Sequence, residues 1–306
     1  MRYIFISFLI VCSLSIAAQD SLPYSKTEII YGRKDGMALT MTRLMPKHGS
    51  NGKGIISVLS GNWVSSDRMR EGFPERSQMY IDRGYTVFGV MVSCQPRYAI
   101  PDEIVDLKRA VRFIRFNAKE YGIDANKIGI TGSSSGGHLT LMIATADETV
   151  ADPKSNDPVD KVSSRVQAAA AFYPPTDFIN YGGPNTTGTI NQQALVLSGV
   201  AAAFDFKRWN DTTRTYVSIT DTKKRLEIAK EISPANWVTA DDPPVIIIHG
   251  DKDVLVPKQQ SESIIEKFKE AKVPCNLIIK EGGAHGWRNR EVEEKNFVDW
   301  FDKYLK

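Results

Sequence analysis

Between residues 127 and 144 the chain passes from Lys127-Ile128-Gly129-Ile130-Thr131, a short apolar run of strand length, through Gly132-Ser133-Ser134-Ser135-Gly136-Gly137-His138 into a second apolar run, Leu139 to Ala144. A G-x-S-x-G cluster in that position requires a strand that turns sharply into a helix with Ser134 at the apex. Gly132 and Gly136, two residues to either side, let strand, turn and helix approach closely. A flexible loop is the plainer interpretation of a Gly/Ser cluster, but a linker is not bracketed by an Ile-rich strand and an apolar helix. The helix start also aims backbone N–H groups and a positive dipole end at any anion that forms beside Ser134.

The rest of the chain supplies a setting for such a turn. Residues 27–31 and 38–45 read as an antiparallel opening hairpin joined at Lys34-Asp35-Gly36 and stopped by Pro46. Apolar strands are expected at 54–59, 85–92, 127–131, 166–173, 245–249 and 275–280, and their lack of clean alternation suits strands covered on both faces. Helices are expected at 75–83, 101–121, 139–144, 258–271 and 292–304; the second has Ile104, Leu107, Val111, Ile114 and Ala118 at helical spacing between Pro101 and Gly122. The fold class is therefore α/β, with a mostly parallel sheet between helices. Residues 177–235 interrupt the alternation with Gly-Gly-Pro, Thr-rich turns and an Ala-rich helix near 195–203. This stretch is too short and polar to hold its own core, so it reads as a cap-like insertion over the active site within a single domain of residues 19–306.

The 306 residues include 39 Lys and Arg against 36 Asp and Glu, a net charge of +3 from interspersed charges with no basic block, so nucleic-acid binding has no support. Arg2 followed by the apolar run 4–11 and by Ser15, Ala17 and Ala18 reads as a signal peptide over residues 1–18. A buried first strand is the alternative there, and lipidation at Cys12 is disfavoured by the large Val11 before it. Removal of that segment leaves Cys94 and Cys275, too few for a disulfide framework and without metal-ligand spacing to any histidine. A secreted or periplasmic protein without membrane insertion of the mature chain follows.

A serine hydroxyl is a poor nucleophile near neutral pH and needs an imidazole to take its proton and a carboxylate to orient the imidazole. Of the four histidines, His285 lies in the small-residue loop Gly282-Gly283-Ala284-His285-Gly286-Trp287 between the last strand and the last helix and is the favoured base. His249 at a strand end is next and His138 behind it, and His48 lies in an early loop. The loop after the 245–249 strand offers Asp251 and Asp253. Asp253 is favoured because it lies further into the loop, whereas Asp251 directly follows Gly250 and suits folding of the turn. The oxyanion donors are expected to be the N–H of Ser135 and the N–H of Asn62 or Trp63, in the Ser60-Gly61-Asn62-Trp63 loop after the 54–59 strand.

With the serine turn, the Gly250-Asp251-Lys252-Asp253 loop and the Gly283-Ala284-His285 loop in this order, the chain resembles the α/β-hydrolase superfamily. Within it the resemblance is to secreted esterases, the bifunctional feruloyl and acetyl-xylan esterases and the prolyl-oligopeptidase-like hydrolases, from about Ile55 to Leu305. The resemblance implies Ser134 as nucleophile, Asp253 as acid, His285 as base and a noncatalytic His138, with no metal or cofactor. It implies carboxylic ester hydrolysis, with acetyl or feruloyl esters of plant polysaccharides as the leading substrates. One departure is that relatives usually carry His-Gly-Gly before an aromatic where this chain has Ser60-Gly61-Asn62-Trp63. Trp63, Tyr98, Tyr173 and Trp287 lie beside the expected loops and are candidates to stack on a substrate, with ordinary packing as the alternative. Two other functions remain open at this point: a prolyl-oligopeptidase-like exopeptidase, although no propeller or amine-binding acidic pair is visible, and a noncatalytic carbohydrate-binding protein.

Overall fold

A computed structural model describes residues 22–146, 154–184 and 192–306; the expected signal segment lies outside the described residues. Among the described residues ten strands occur in chain order: β1 Tyr24–Lys34, β2 Met37–Pro46, β3 Gly54–Val58, β4 Thr86–Val90, β5 Ile128–Ser133, β6 Ala168–Phe172, β7 Lys207–Asn210, β8 Thr215–Ser218, β9 Val245–Gly250 and β10 Cys275–Lys280. Eight of them form one sheet in the order β1-β2-β4-β3-β5-β6-β9-β10. The opening hairpin joins it antiparallel, β2 to β4, and every pair from β4 to β10 is parallel.

Side chains alternate across the two faces of these strands, as a period of two demands. On β9, Val245 and Ile247 enter one core cluster and Ile246 and Ile248 the other; on β6, Ala169 and Ala171 oppose Ala168, Ala170 and Phe172. Burial on both faces explains why these strands show no polar side in the sequence. Helices α1 Ile100–Phe116, α2 Ser135–Thr145, α3 Thr222–Glu231, α4 Gln259–Glu270 and α5 Glu291–Tyr304 supply the cover. Leu107, Leu139 and Phe268 from α1, α2 and α4 pack on one face, and Phe297 and Phe301 from α5 on the other.

The topology places a crevice. From β3 the chain moves out to β4 and then returns to the opposite side of β3 as β5, so the connections leave the carboxyl ends of β3 and β5 in opposite directions. Such a switch point opens a cleft at the strand ends. The turn after β3 and the turn after β5 are thereby neighbours, although some seventy residues separate them, as in the Ser60 to Ser135 contact with a separation of 75.

Several boundaries differ from expectation. The helix expected at 75–83 is instead three short turns, Asp67–Glu71, Phe73–Arg76 and Gln78–Asp82, separated at Gly72 and Ser77. α1 ends at Phe116, and the Asn117 side chain bonds back to the Phe113 carbonyl at 2.8 Å. The stretch near 195–203 is a helix at Gln192–Leu197 and a 3₁₀ turn at Ala201–Phe204, separated by Gly199 with φ of 69°. The β7–β8 hairpin and α3 were not expected; α3 starts where the Asp221 carboxylate accepts the Lys224 N–H at 2.8 Å. Within 177–235, Phe178, Leu195, Val200, Phe204, Phe206, Ala229 and Ile232 join the larger core cluster.

Candidate active site

Four loops at the carboxyl ends of β3, β5, β9 and β10 meet at the crevice. At the end of β5, Ser134 has φ of 55° and ψ of −121°, a strained conformation for a residue with a side chain. It is held by its N–H to the Phe172 carbonyl at 2.9 Å and by the His138 N–H to its own carbonyl at 2.8 Å. A Cβ on Gly132 would lie 2.4 Å from the Gly136 oxygen, and one on Gly136 would lie 2.9 Å from the Val58 oxygen. The two glycines are thus required by backbone contact with the turn itself and with β3.

The Asp and His loops close through another pair of glycines. A Cβ on Gly250 would sit 2.2 Å from the Gly283 oxygen, and the Lys252 N–H donates to that oxygen at 2.8 Å. This contact brings Asp253 and His285 together. The His285 Nδ1–H donates to Asp253 Oδ2 at 2.7 Å, and the Ser134 hydroxyl lies 2.8 Å from His285 Nε2. Since the carboxylate only accepts, Nδ1 carries the proton and Nε2 accepts from the serine. The other Asp253 oxygen accepts the N–H groups of Leu255 and Val256 at 3.0 and 2.8 Å.

Asp251 is turned away from this chain of bonds; its N–H donates to the Lys280 carbonyl at 3.1 Å and its carboxylate lies 3.9 Å from Lys252. His249 lies behind Asp253, fully buried. Its Nε2–H donates to the Val256 carbonyl at 2.9 Å and lies 3.3 Å from Asp253 Oδ2, while Nδ1 accepts from Ser261 at 2.7 Å. Burial of Asp253 favours its neutral form, but the bonds from His249, His285 and the Val256 amide outweigh burial and hold the carboxyl far below the usual carboxylate range.

The turn after β3 has a definite geometry. Gly61 and Val64 exchange both of their backbone hydrogen bonds at 3.0 Å, and Asn62 and Trp63 between them have φ of 52° and 55°. Two central residues with positive φ are the mark of a type I′ turn, in which Asn is favoured and Trp is costly. The N–H groups of Asn62 and Trp63 stand outside the turn's own bonds. Trp63 is held in place by its indole N–H, which donates to His138 Nδ1 at 3.2 Å, by a tilted ring contact with Phe178 and by an edge contact with Phe204. His138 is fully buried, and its Nε2–H donates to the Ile232 carbonyl at 2.7 Å. The bonds of His138 therefore reach the β3 turn and the 177–235 segment. Burial lowers its pKa to about 4, which keeps the ring neutral and able to accept from Trp63. The Ser60 and Ser135 hydroxyls, 3.1 Å apart, join the same turn to the start of α2, whose first N–H groups have no intrahelical acceptor.

Ser134 stands between two cavities. One, of about 550 Å³, is lined by Ser60, Asn62, Tyr173, His285, Arg76 and Arg290 among others. The second, of about 150 Å³, lies against Asn62, Trp63, Phe178, Leu195, Phe204 and Leu255 and is mostly apolar. Of the four aromatic candidates, Tyr173 lines the larger cavity with its ring 4.7 Å from that of His285. Trp63 lines the smaller cavity. Trp287 packs edge-on against Phe172 and Tyr173 behind them. Tyr98 is placed elsewhere: it lines a separate depression with Cys94 and Arg97, and its hydroxyl donates to Asp35 at 3.0 Å. Cys94 and Cys275 are both free thiols.

Comparison with known proteins follows the same lines. The profile of the BD-FAE family matches residues 43–268, more than half of the chain. The chain belongs to the BD-FAE family. Esterase LipQ of Mycobacterium tuberculosis is 28% identical over 217 residues, which cover 71% of this chain and 46% of that protein. The chain spans about half the length of the curated relatives it matches, with coverages of 46%, 44% and 60%. Among solved structures, the acetyl ester-xyloside bifunctional hydrolase of Caldicellulosiruptor lactoaceticus superposes with a TM-score of 0.69 at 22% identity, over 90% of this chain and 96% of that one. The bifunctional GH43-CE of Bacteroides eggerthii superposes with a TM-score of 0.72 at 26% identity, over 91% of this chain and 38% of that one. The fold is that of the α/β-hydrolases.

Sequence reasoning missed Arg76, Arg290 and Glu294 of the larger cavity and the support that His249 lends Asp253. The Trp287-Arg288-Asn289-Arg290 run after the histidine loop was a signal for Arg290; Arg76, on a short helical turn, had none.

Proposed function

We propose that this member of the BD-FAE family is a serine esterase that hydrolyses carboxylic esters through an acyl-enzyme. The observation that carries the reading is the unbroken run of hydrogen bonds from Asp253 through His285 to the Ser134 hydroxyl, at 2.7 and 2.8 Å. Ser134 attacks the ester carbonyl while His285 Nε2 takes its proton, and Asp253 stabilises the imidazolium that forms. The tetrahedral oxyanion is received by the N–H of Ser135 and by that of Asn62 or Trp63, each such donor contributing on the order of a hundredfold in rate. His285 then returns the proton to the leaving alcohol, and water, activated by the same imidazole, releases the acid.

Acetyl esters of a carbohydrate are the leading substrate class, in line with a structural neighbour described as an acetyl ester-xyloside hydrolase. The smaller cavity of about 150 Å³ favours a short acyl group over a feruloyl group, since a cavity of that size accommodates about one benzene ring. Among the described residues no helix is long and apolar enough to cross a membrane. Export by way of residues 1–18 is part of the same proposal.

The test is hydrolysis of 4-nitrophenyl acetate by the protein and by Ser134→Ala. Loss of the serine is expected to lower kcat by a factor of about 10⁴ or more. Undiminished turnover in the variant, with the fold verified by circular dichroism, rules out this mechanism.

A further inference from the structure

The two cavities beside Ser134 differ in which machinery they share. His285 lines the larger and not the smaller. The imidazole that delivers a proton to the leaving oxygen must face that oxygen, so the alcohol half of the ester belongs in the larger cavity and the acyl half in the smaller, apolar one.

The larger cavity is charged. Besides His285, its ionisable lining residues among those described are Arg76, Arg290, Glu294, Tyr80 and Tyr173. Arg290 donates to the Tyr173 hydroxyl at 3.2 Å, lies over the Phe172 ring and stands 3.6 Å from Glu294. Arg76, on another element, donates one N–H to the Met69 carbonyl at 2.6 Å. The cavity thus carries two guanidiniums against one carboxylate, and neither guanidinium uses all five of its donors in these bonds. Burial first, and then the charge of Arg290, lowers the basicity of Arg76, while burial raises the pKa of Glu294 against both arginines. Glu75 also acts on Arg76, and Glu291 and Glu293 on Glu294, but these three do not line the cavity.

We propose that Arg76 and Arg290 bind a carboxylate carried on the alcohol half of the ester, so that the substrate is an acylated hydroxy acid such as an O-acylated uronic acid. The assignment rests on the serine esterase reading for the orientation of the ester, and on the cavity's own charge for the anion. A carboxylate between two guanidiniums forms charge-assisted, bidentate-capable bonds and restores neutrality to the cavity.

Two acetate esters that differ only in charge, 3-acetoxybenzoate and 3-acetoxybenzamide, test it by their ratio of kcat/KM in one protein. The carboxylate is expected to be favoured by about tenfold or more after correction for the uncatalysed rates. The preference should shrink as NaCl rises from 20 to about 500 mM and collapse toward unity in Arg76→Gln/Arg290→Gln. A ratio near one in the parent protein, or a preference that survives the double substitution, overturns the proposal. Titration calorimetry with glucuronate and with glucose separates the two levels of inference. Absence of any ester turnover, together with glucuronate binding that vanishes in the double variant, refutes the esterase reading and keeps the anion site; turnover of both esters without glucuronate binding does the reverse.

Discussion

His138 shows how one side chain fixes the geometry of a site it does not enter. Its ring has no freedom of tautomer: Nδ1 receives the Trp63 indole N–H and Nε2 donates to the Ile232 carbonyl. Protonation would put a second N–H against a donor, at a fully buried ring where the charge is not solvated, which is the physical meaning of a pKa lowered to about 4. The linkage sign follows. An unfolded histidine titrates near 6.5, so between about 4 and 6.5 the unfolded chain binds more protons than the folded one, and stability falls as pH falls through that window. Stability is undiminished above pH 6.5, and the loss amounts to roughly 3 kcal/mol by the low end of the window. Urea unfolding of the protein and of His138→Gln at pH 7.5, 5.5 and 4.5 measures it: the stability difference between them should narrow steadily as pH drops. A difference that stays constant with pH would disprove the assignment.

At the scale of elements, the site is an arrangement of loops whose separation is set by glycines, and Gly250 is where this matters most. A methyl group there meets the Gly283 oxygen at 2.2 Å and the Ala284 oxygen at 2.8 Å. Both atoms are backbone, so the histidine loop must retreat from the aspartate loop. Gly250→Ala is therefore expected to lose about a hundredfold or more in kcat/KM on 4-nitrophenyl acetate, the usual consequence of moving a catalytic group by an ångström. The sheet should remain folded by circular dichroism, because β9 and β10 pair below the contact; full activity in the variant would contradict this account. These same loops were the legible part of the chain, since Ser134, Asp253 and His285 each follow an apolar strand, and Ser134 and His285 stand among small residues. The conformation of Asn62 and Trp63 was not legible. Nothing local marks a tryptophan for positive φ, which is imposed by His138, Phe178 and Phe204 from distant segments. The charged cavity escaped notice for a similar reason: Arg76 and Arg290 meet only in space. In α3, most side chains face solvent and only Arg225 and Ala229 are buried, leaving no apolar periodicity to read.

For the molecule as a whole, the 177–235 segment packs into the larger of the sheet's two core clusters, and the smaller cavity lies where they meet. Phe204, 2% exposed, contacts Trp63 and Phe178 and forms part of that wall. Its ring thus serves packing and the space left for an acyl chain at once. Removing it in Phe204→Ala is expected to cost about 3–5 kcal/mol of stability and to lengthen the cavity away from Ser134. The ratio of kcat/KM for 4-nitrophenyl hexanoate over acetate should rise several-fold relative to the parent protein. Leu255, 43% exposed and lining the same cavity, gives a version of the experiment with little loss of core, and Leu255→Ala should move the ratio in the same direction. If both variants fold and neither changes the acyl-length profile, the smaller cavity does not hold the acyl group, and the assignment of the two halves of the ester to the two cavities must be reversed.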